Sequence, residues 1–201
     1  STRFESPETE DPELEWSVPE VGREVQREVM DNGMILYMME DHRLPLLSVT
    51  AMIRCGEVYE PIEKMALPGM TGDVMRSGGT ENIDADSLNA LLEMIGGHLE
   101  TYIGYERGSA SLDVISRDTE LGIRLLADIL RHPAFPEDKI ELAKAELQND
   151  IKRRNDNPQS ILGREYNHII YGDHPGGRIL EWEYVSPITR SDLIDYHDEY
   201  F

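Results

Sequence analysis

Cysteine is nearly absent from this chain, lysine is scarce, and no long apolar run occurs. Cys55 stands alone among 201 residues, which excludes an intramolecular disulfide and a Cys-x-x-Cys metal knuckle. It ends the mostly apolar run Val49-Thr50-Ala51-Met52-Ile53-Arg54-Cys55, where a packed structural thiol is favoured over a reactive one. The redox compartment stays open. No apolar stretch approaches the ~20 residues of a membrane-crossing helix. Ser1 to Glu20 is acidic and proline-containing instead of a basic segment before an apolar core, so no signal peptide is visible in it.

Forty Asp and Glu face nineteen Lys and Arg, only four of them Lys, for a formal charge of -21. That balance repels phosphate backbones and argues against nucleic-acid binding. A carboxylate-rich, lysine-poor surface suits a protein kept soluble in concentrated salt, where self-repulsion is screened. An acidic cleft for a cationic partner is the rival reading. With 39% hydrophobic residues, the chain is long enough for one domain with a sizeable core.

Along the chain, residues 1–22 read as an acidic, extended lead-in. Glu24 to Met30 and Met34 to Met39 alternate around Asp31-Asn32-Gly33, predicting a hairpin. Leu46 to Cys55 reads as a third strand, central because mostly apolar. A helix is predicted over Pro68–Arg76 with Pro68 in its first turn, and another over Ser87–Ile95, capped by Asp86 and ended by Gly96-Gly97. Two strands, His98–Ile103 and Arg107–Ile115, follow. Helices are then predicted over Glu120–Arg131, Glu137–Arg154 and Gln159–Tyr171, with a last one from Thr189 through Tyr200. The order implies an α+β domain, an antiparallel or mixed sheet with helices on one face.

Leu67-Pro68-Gly69-Met70-Thr71-Gly72-Asp73-Val74-Met75-Arg76-Ser77-Gly78-Gly79-Thr80 has the frame of an inverted zinc-peptidase helix, HxxEH closing on Gly-Thr. Met70, Asp73 and Val74 hold the three places. Zinc takes Cys sulfur, His nitrogen or Asp/Glu oxygen, so a thioether and an isopropyl group remove two of three protein ligands. His42, His98, His132, His168, His174 and His197 show no close ligand spacing and read as surface or capping histidines. Asp73 and Asp150 are few carboxylates for a hard cation. The methionines at 30, 34, 38, 39, 52, 65, 70 and 75 fall at core spacing.

Further signposts follow in order: Asp31-Asn32-Gly33-Met34, Glu40-Asp41-His42, Arg54-Cys55-Gly56, Gly79-Thr80, Leu88 to Glu100, Arg131-His132-Pro133-Ala134-Phe135, Arg153-Arg154-Asn155-Asp156-Asn157-Pro158 and Tyr171-Gly172-Asp173-His174-Pro175. From about Glu24 to Phe201 the chain resembles the pitrilysin/insulinase superfamily of zinc peptidases, which includes the mitochondrial processing peptidase and many bacterial paralogues. The resemblance implies a third ligand, a Glu some seventy-odd residues on and a few residues before Asp-x-Pro. That place is Asp150, with 75 residues between it and Val74.

The resemblance therefore implies a lost zinc site at Met70, Asp73, Val74 and Asp150, no bound zinc and no catalytic residues in this chain. It implies that residues 23–201 are an N-terminal peptidase-like domain lacking its last strands, a fragment of a longer two-domain chain. The expected role is non-catalytic: helping to form a chamber and to bind extended peptide for a zinc-bearing paralogue or second copy, as a dimer. An active metalloendopeptidase with unusual ligands and an assembly subunit outside proteolysis are the alternatives. The resemblance points to the bacterial periplasm or cell envelope; the residues themselves specify no compartment.

Overall fold

The computed structural model describes residues 17–201, and most of the acidic lead-in lies outside them. The chain divides into two compact units, the first ending at Leu44 and the second running from Pro45 to Phe201.

The described part of the first unit is a hairpin of β1 (Val25–Val29) and β2 (Ile35–Met39), antiparallel, with Val25 opposite Met39. Its turn is built as the residue types dictate. Gly33 adopts φ 86°, and the Asn32 side chain accepts the Met34 N–H at 3.1 Å. Met30, Met34 and Met39 are exposed in this unit and Met52 in the next, so the core reading of the methionines holds for Met65, Met70 and Met75 but not for these four.

The second unit carries β3 (Leu46–Ile53), β4 (His98–Ile103) and β5 (Gly108–Ile115), antiparallel throughout in the order β3-β5-β4. The expected sheet is thus antiparallel rather than mixed, and β3 is an outer strand rather than a central one. Its burial alternates along its length, the mark of a strand with one covered face. Leu47, Val49, Ala51 and Ile53 face inward beside Leu99, Ile103, Leu112 and Val114. Ser48, Thr50, Glu100, Ser111 and Asp113 occupy the open face.

The described residues carry seven α-helices, numbered in chain order, the first two between β3 and β4 and the rest after β5: α1 (Leu67–Ser77), α2 (Ala85–Ile95), α3 (Thr119–Arg131), α4 (Glu137–Arg153), α5 (Pro158–Tyr171), α6 (Trp182–Val185) and α7 (Arg190–Tyr200). Pro68 sits in the first turn of α1, where its missing N–H has no helical partner to lose. Asp84, not Asp86, caps α2: its carboxylate accepts the Ser87 N–H at 3.0 Å. Thr189 and Asp192 form a reciprocal capping box on α7. Met70, Val74, Met75, Leu88, Leu99, Leu112, Ile129, Phe135, Ile140 and Leu193 form one core between helices and sheet. Cys55 is fully buried there, beside the Tyr196 hydroxyl, and burial pushes its thiol pKa up. This is a packed thiol.

Candidate functional site

The entry to α1 is strained and pinned. Ala66, the residue before the helix, adopts φ 74°, a left-handed conformation that costs a residue with a Cβ about 1–2 kcal/mol. Its N–H is held by the Glu60 carboxylate at 2.9 Å. Burial, reinforced by the nearby Glu57 charge, pushes the Glu60 pKa up to about 7, against the opposing pull of the Ala66 N–H and of Arg178. Along the helix, Met70 and Val74 lie one turn apart on the same face and are turned into the core, 2% and 0% exposed. Asp73 points outward by surface area, yet protein crowds its carboxylate. That desolvation, with the Glu146 charge added, raises its pKa above the ordinary carboxylate value.

α1 packs against α4, which carries Asp150 on its exposed surface. The charge acting on Asp73 is Glu146, one turn before Asp150 on that helix. Among the described residues no three His, Cys, Asp or Glu side chains form a group able to hold a metal ion. A buried thioether, a hydrocarbon and scattered carboxylates do not fit zinc, so no chemistry is routed through one here. His42, His132, His168, His174 and His197 are spent on local bonds. His168 meets the Gly177 carbonyl at 2.8 Å, His197 the Leu130 carbonyl at 3.0 Å, and His174 the Tyr105 hydroxyl at 3.1 Å.

The other element of the site is β4, on the flank of α1. Gly104 donates its N–H to the Arg107 carbonyl at 3.0 Å, closing a tight turn into β5. Antiparallel pairing alternates from that bond, so Glu100 and Tyr102 direct their backbone groups to β5, while Leu99, Thr101 and Ile103 direct theirs outward. Thr101 donates its hydroxyl to the Gly72 carbonyl at 2.6 Å. Arg76, in the last turn of α1, donates Nε to the Leu99 carbonyl at 2.6 Å and Nη1 to the Asn89 side chain at 2.9 Å. An open depression of about 460 Å³ at the turn is lined by Tyr102, Gly104, Tyr105, Glu106, Arg107 and Ser109. Sequence reasoning singled out Met70, Asp73, Val74 and Asp150 and did not reach Glu60, Arg76 or Glu146. Their roles depend on which helix face meets which strand, and no motif announces that.

A family model described as Insulinase (Peptidase family M16) matches residues 45–182. The chain belongs to that family. An uncharacterized zinc protease of Mycobacterium leprae is 32% identical over 108 residues, covering 53% of this chain and 24% of that protein. Cytochrome b-c1 complex subunit 1, mitochondrial, of Rattus norvegicus is 26% identical over 187 residues, 92% of this chain and 38% of the other. The chain spans less than half the length of these relatives. Among solved structures, the peptidase M16 inactive domain from Pseudomonas fluorescens superposes with a TM-score of 0.81 at 20% identity, over 86% of this chain and 42% of that one. Pitrilysin superposes with a TM-score of 0.68 at 22% identity, over 90% and 20%. The chain shares their α+β fold.

Proposed function

We propose that this M16 chain is a non-catalytic part of a pitrilysin-type peptidase, helping to enclose a chamber and holding extended peptide for a zinc-bearing partner. One observation carries the reading. The two places where the family frame puts imidazoles hold Met70 and Val74, both buried and neither able to bind zinc. The likeness to a structure described as an inactive M16 domain supports it. Peptide capture is assigned to the outer edge of β4, where Thr101 and Ile103 turn N–H and C=O groups away from β5. An extended chain adds to such an edge through its own backbone.

The deciding experiment is reconstitution with an HxxEH-bearing paralogue from the same genome. Copurification, and peptide cleavage by the pair but not by this chain alone, is the expected result. Chelator-sensitive cleavage by the isolated chain with stoichiometric zinc would overturn the reading. The likeness to a subunit of the cytochrome b-c1 complex favours a second one, an assembly subunit outside proteolysis. It predicts a stable complex in which removing this chain leaves peptide cleavage unchanged.

A further inference from the structure

The helix α5 turns its apolar side outward. Ile161 and Arg164 are half-buried and His168 bonds the Gly177 carbonyl at 2.8 Å, so the face holding these three is the one turned to the rest of its unit. No residue of the helix is buried. On the opposite face Leu162, Tyr166, Ile169 and Ile170 are between 59% and 77% exposed. At about 100° per residue, these four and Gly163 fall in one uncharged stripe about 120° wide, which on a solvated helix would be polar.

Gly163 is a second, independent sign. Glycine weakens a helix interior and suits a place where something must come close to the backbone. Within the described residues nothing does: a Cβ built on Gly163 has no heavy atom within 4 Å. The stripe therefore carries a notch. Its positions, 162, 163, 166, 169 and 170, are also spaced alike in both directions from Tyr166. A two-fold axis through Tyr166 lays an antiparallel copy of the helix on it with Leu162 across from Ile170 and Ile169 over the notch at Gly163. The two Tyr166 rings then meet at the axis, and the Asn167 amide lies across from the Glu165 carboxylate, an acceptor for its N–H groups. Charge favours the same occupant. A chain of -21 repels its own copies over most of its surface, but α5 holds one Arg and one Glu, Arg164 and Glu165, joined at 3.2 Å.

We infer that α5 is the contact of a symmetric dimer, packed antiparallel on α5 of a second copy through Leu162, Gly163, Tyr166, Ile169 and Ile170. The contact covers about 400–500 Å² of each copy, the low end for a specific interface, so pairing sets in at about 10–100 µM chain. It does not depend on the peptide-holding role proposed above.

Sedimentation equilibrium of the full chain from about 5 to 500 µM, in about 0.1 M and 1 M NaCl, tests it. A monomer–dimer equilibrium is expected, at least about threefold tighter in the higher salt, where repulsion between copies is screened. Gly163→Leu fills the notch and Ile169→Asp sets a charge over it, and each should weaken pairing at least about tenfold. At about 2 µM, where the chain is monomeric, Gly163→Leu should keep or raise the Tm, because its new side chain begins in open space. A chain that stays monomeric throughout both titrations overturns the inference. So does a dimer that both variants leave intact, since the contact then lies elsewhere. A chain that is monomeric alone yet binds an HxxEH-bearing paralogue, and loses it in Ile169→Asp, also overturns self-pairing and gives the stripe to that partner.

Discussion

Thr101, on the outer strand β4, donates its hydroxyl to the carbonyl of Gly72, in the middle of α1, at 2.6 Å. That bond joins the helix bearing the altered motif to the strand assigned to peptide capture. It requires close approach of the two backbones, and Gly72 permits it. A Cβ there would lie 2.9 Å from the Ile103 nitrogen and 3.1 Å from its Cγ1.

Gly72→Ala should therefore destabilise the chain even though alanine is the better helix former. Overpacking costs about 1–3 kcal/mol, against about 1 kcal/mol gained in helix propensity. Because the clash is with backbone, the cost falls at the upper end of that range, and a net loss of about 2 kcal/mol corresponds to a fall in Tm of about 4–8 °C. Thermal unfolding followed by circular dichroism reads it, and an unchanged or higher Tm would show that α1 and β4 are not so closely apposed.

Glu60 gives a pH dependence of defined sign. Its folded pKa is raised from 4.5 to about 7, so between those values the folded chain holds a proton that the unfolded chain has released. Stability from this group is full below pH 4.5 and declines as pH climbs towards 7. Glu60→Gln keeps an acceptor for the Ala66 N–H and removes the titration. The difference in stability between variant and unaltered chain, measured by urea unfolding, should grow in favour of the variant over that window. A constant difference across pH would disprove the assignment.

Rebuilding the donors tests the reading of the motif frame. The combined variant Met70→His, Asp73→Glu, Val74→His and Asp150→Glu should retain about one zinc per chain after dialysis, the complement of three protein ligands and a water that a catalytic site uses. Elemental analysis of the unaltered chain should give only background metal. Stoichiometric zinc in the unaltered chain would refute the lost-site reading.

The charge of -21 predicts a response to salt. Raising NaCl from about 0.1 M to 1 M shortens the screening length from ~10 Å to ~3 Å and relieves carboxylate repulsion. Tm should climb steadily over that range. A flat profile would remove the case for salt adaptation.

Element type was legible wherever local chemistry decided it. Asn32-Gly33 announced the first turn, Pro68 the start of α1, and Thr189 with Asp192 the start of α7. Asp84 and Asp86 both suit a cap two residues apart; the extended backbone at Asp84, ψ 160°, puts its carboxylate in reach of the Ser87 N–H. The four-residue helix α6 is too short for a periodicity to show. β3 was placed wrongly within the sheet because its apolar composition conceals an alternation of environments. In the site, motif spacing singled out Met70, Asp73 and Val74 on α1, and the family resemblance singled out Asp150 on α4 from its place before Asp156-Asn157-Pro158. Glu146 acting on Asp73 and Arg76 reaching Leu99 arise from the packing of elements far apart in sequence, which counting does not reach.

The outer position of β3 carries a liability of its own. Its eight residues, Leu46–Ile53, contain no charge and no proline, the two devices that usually stop one sheet from growing onto another. For a chain purified alone, mutual repulsion between molecules of charge -21 is then the chief guard against edge-to-edge fibrils. Strong brine weakens that guard while it firms the fold, so the conditions for handling this chain have a ceiling as well as a floor in ionic strength.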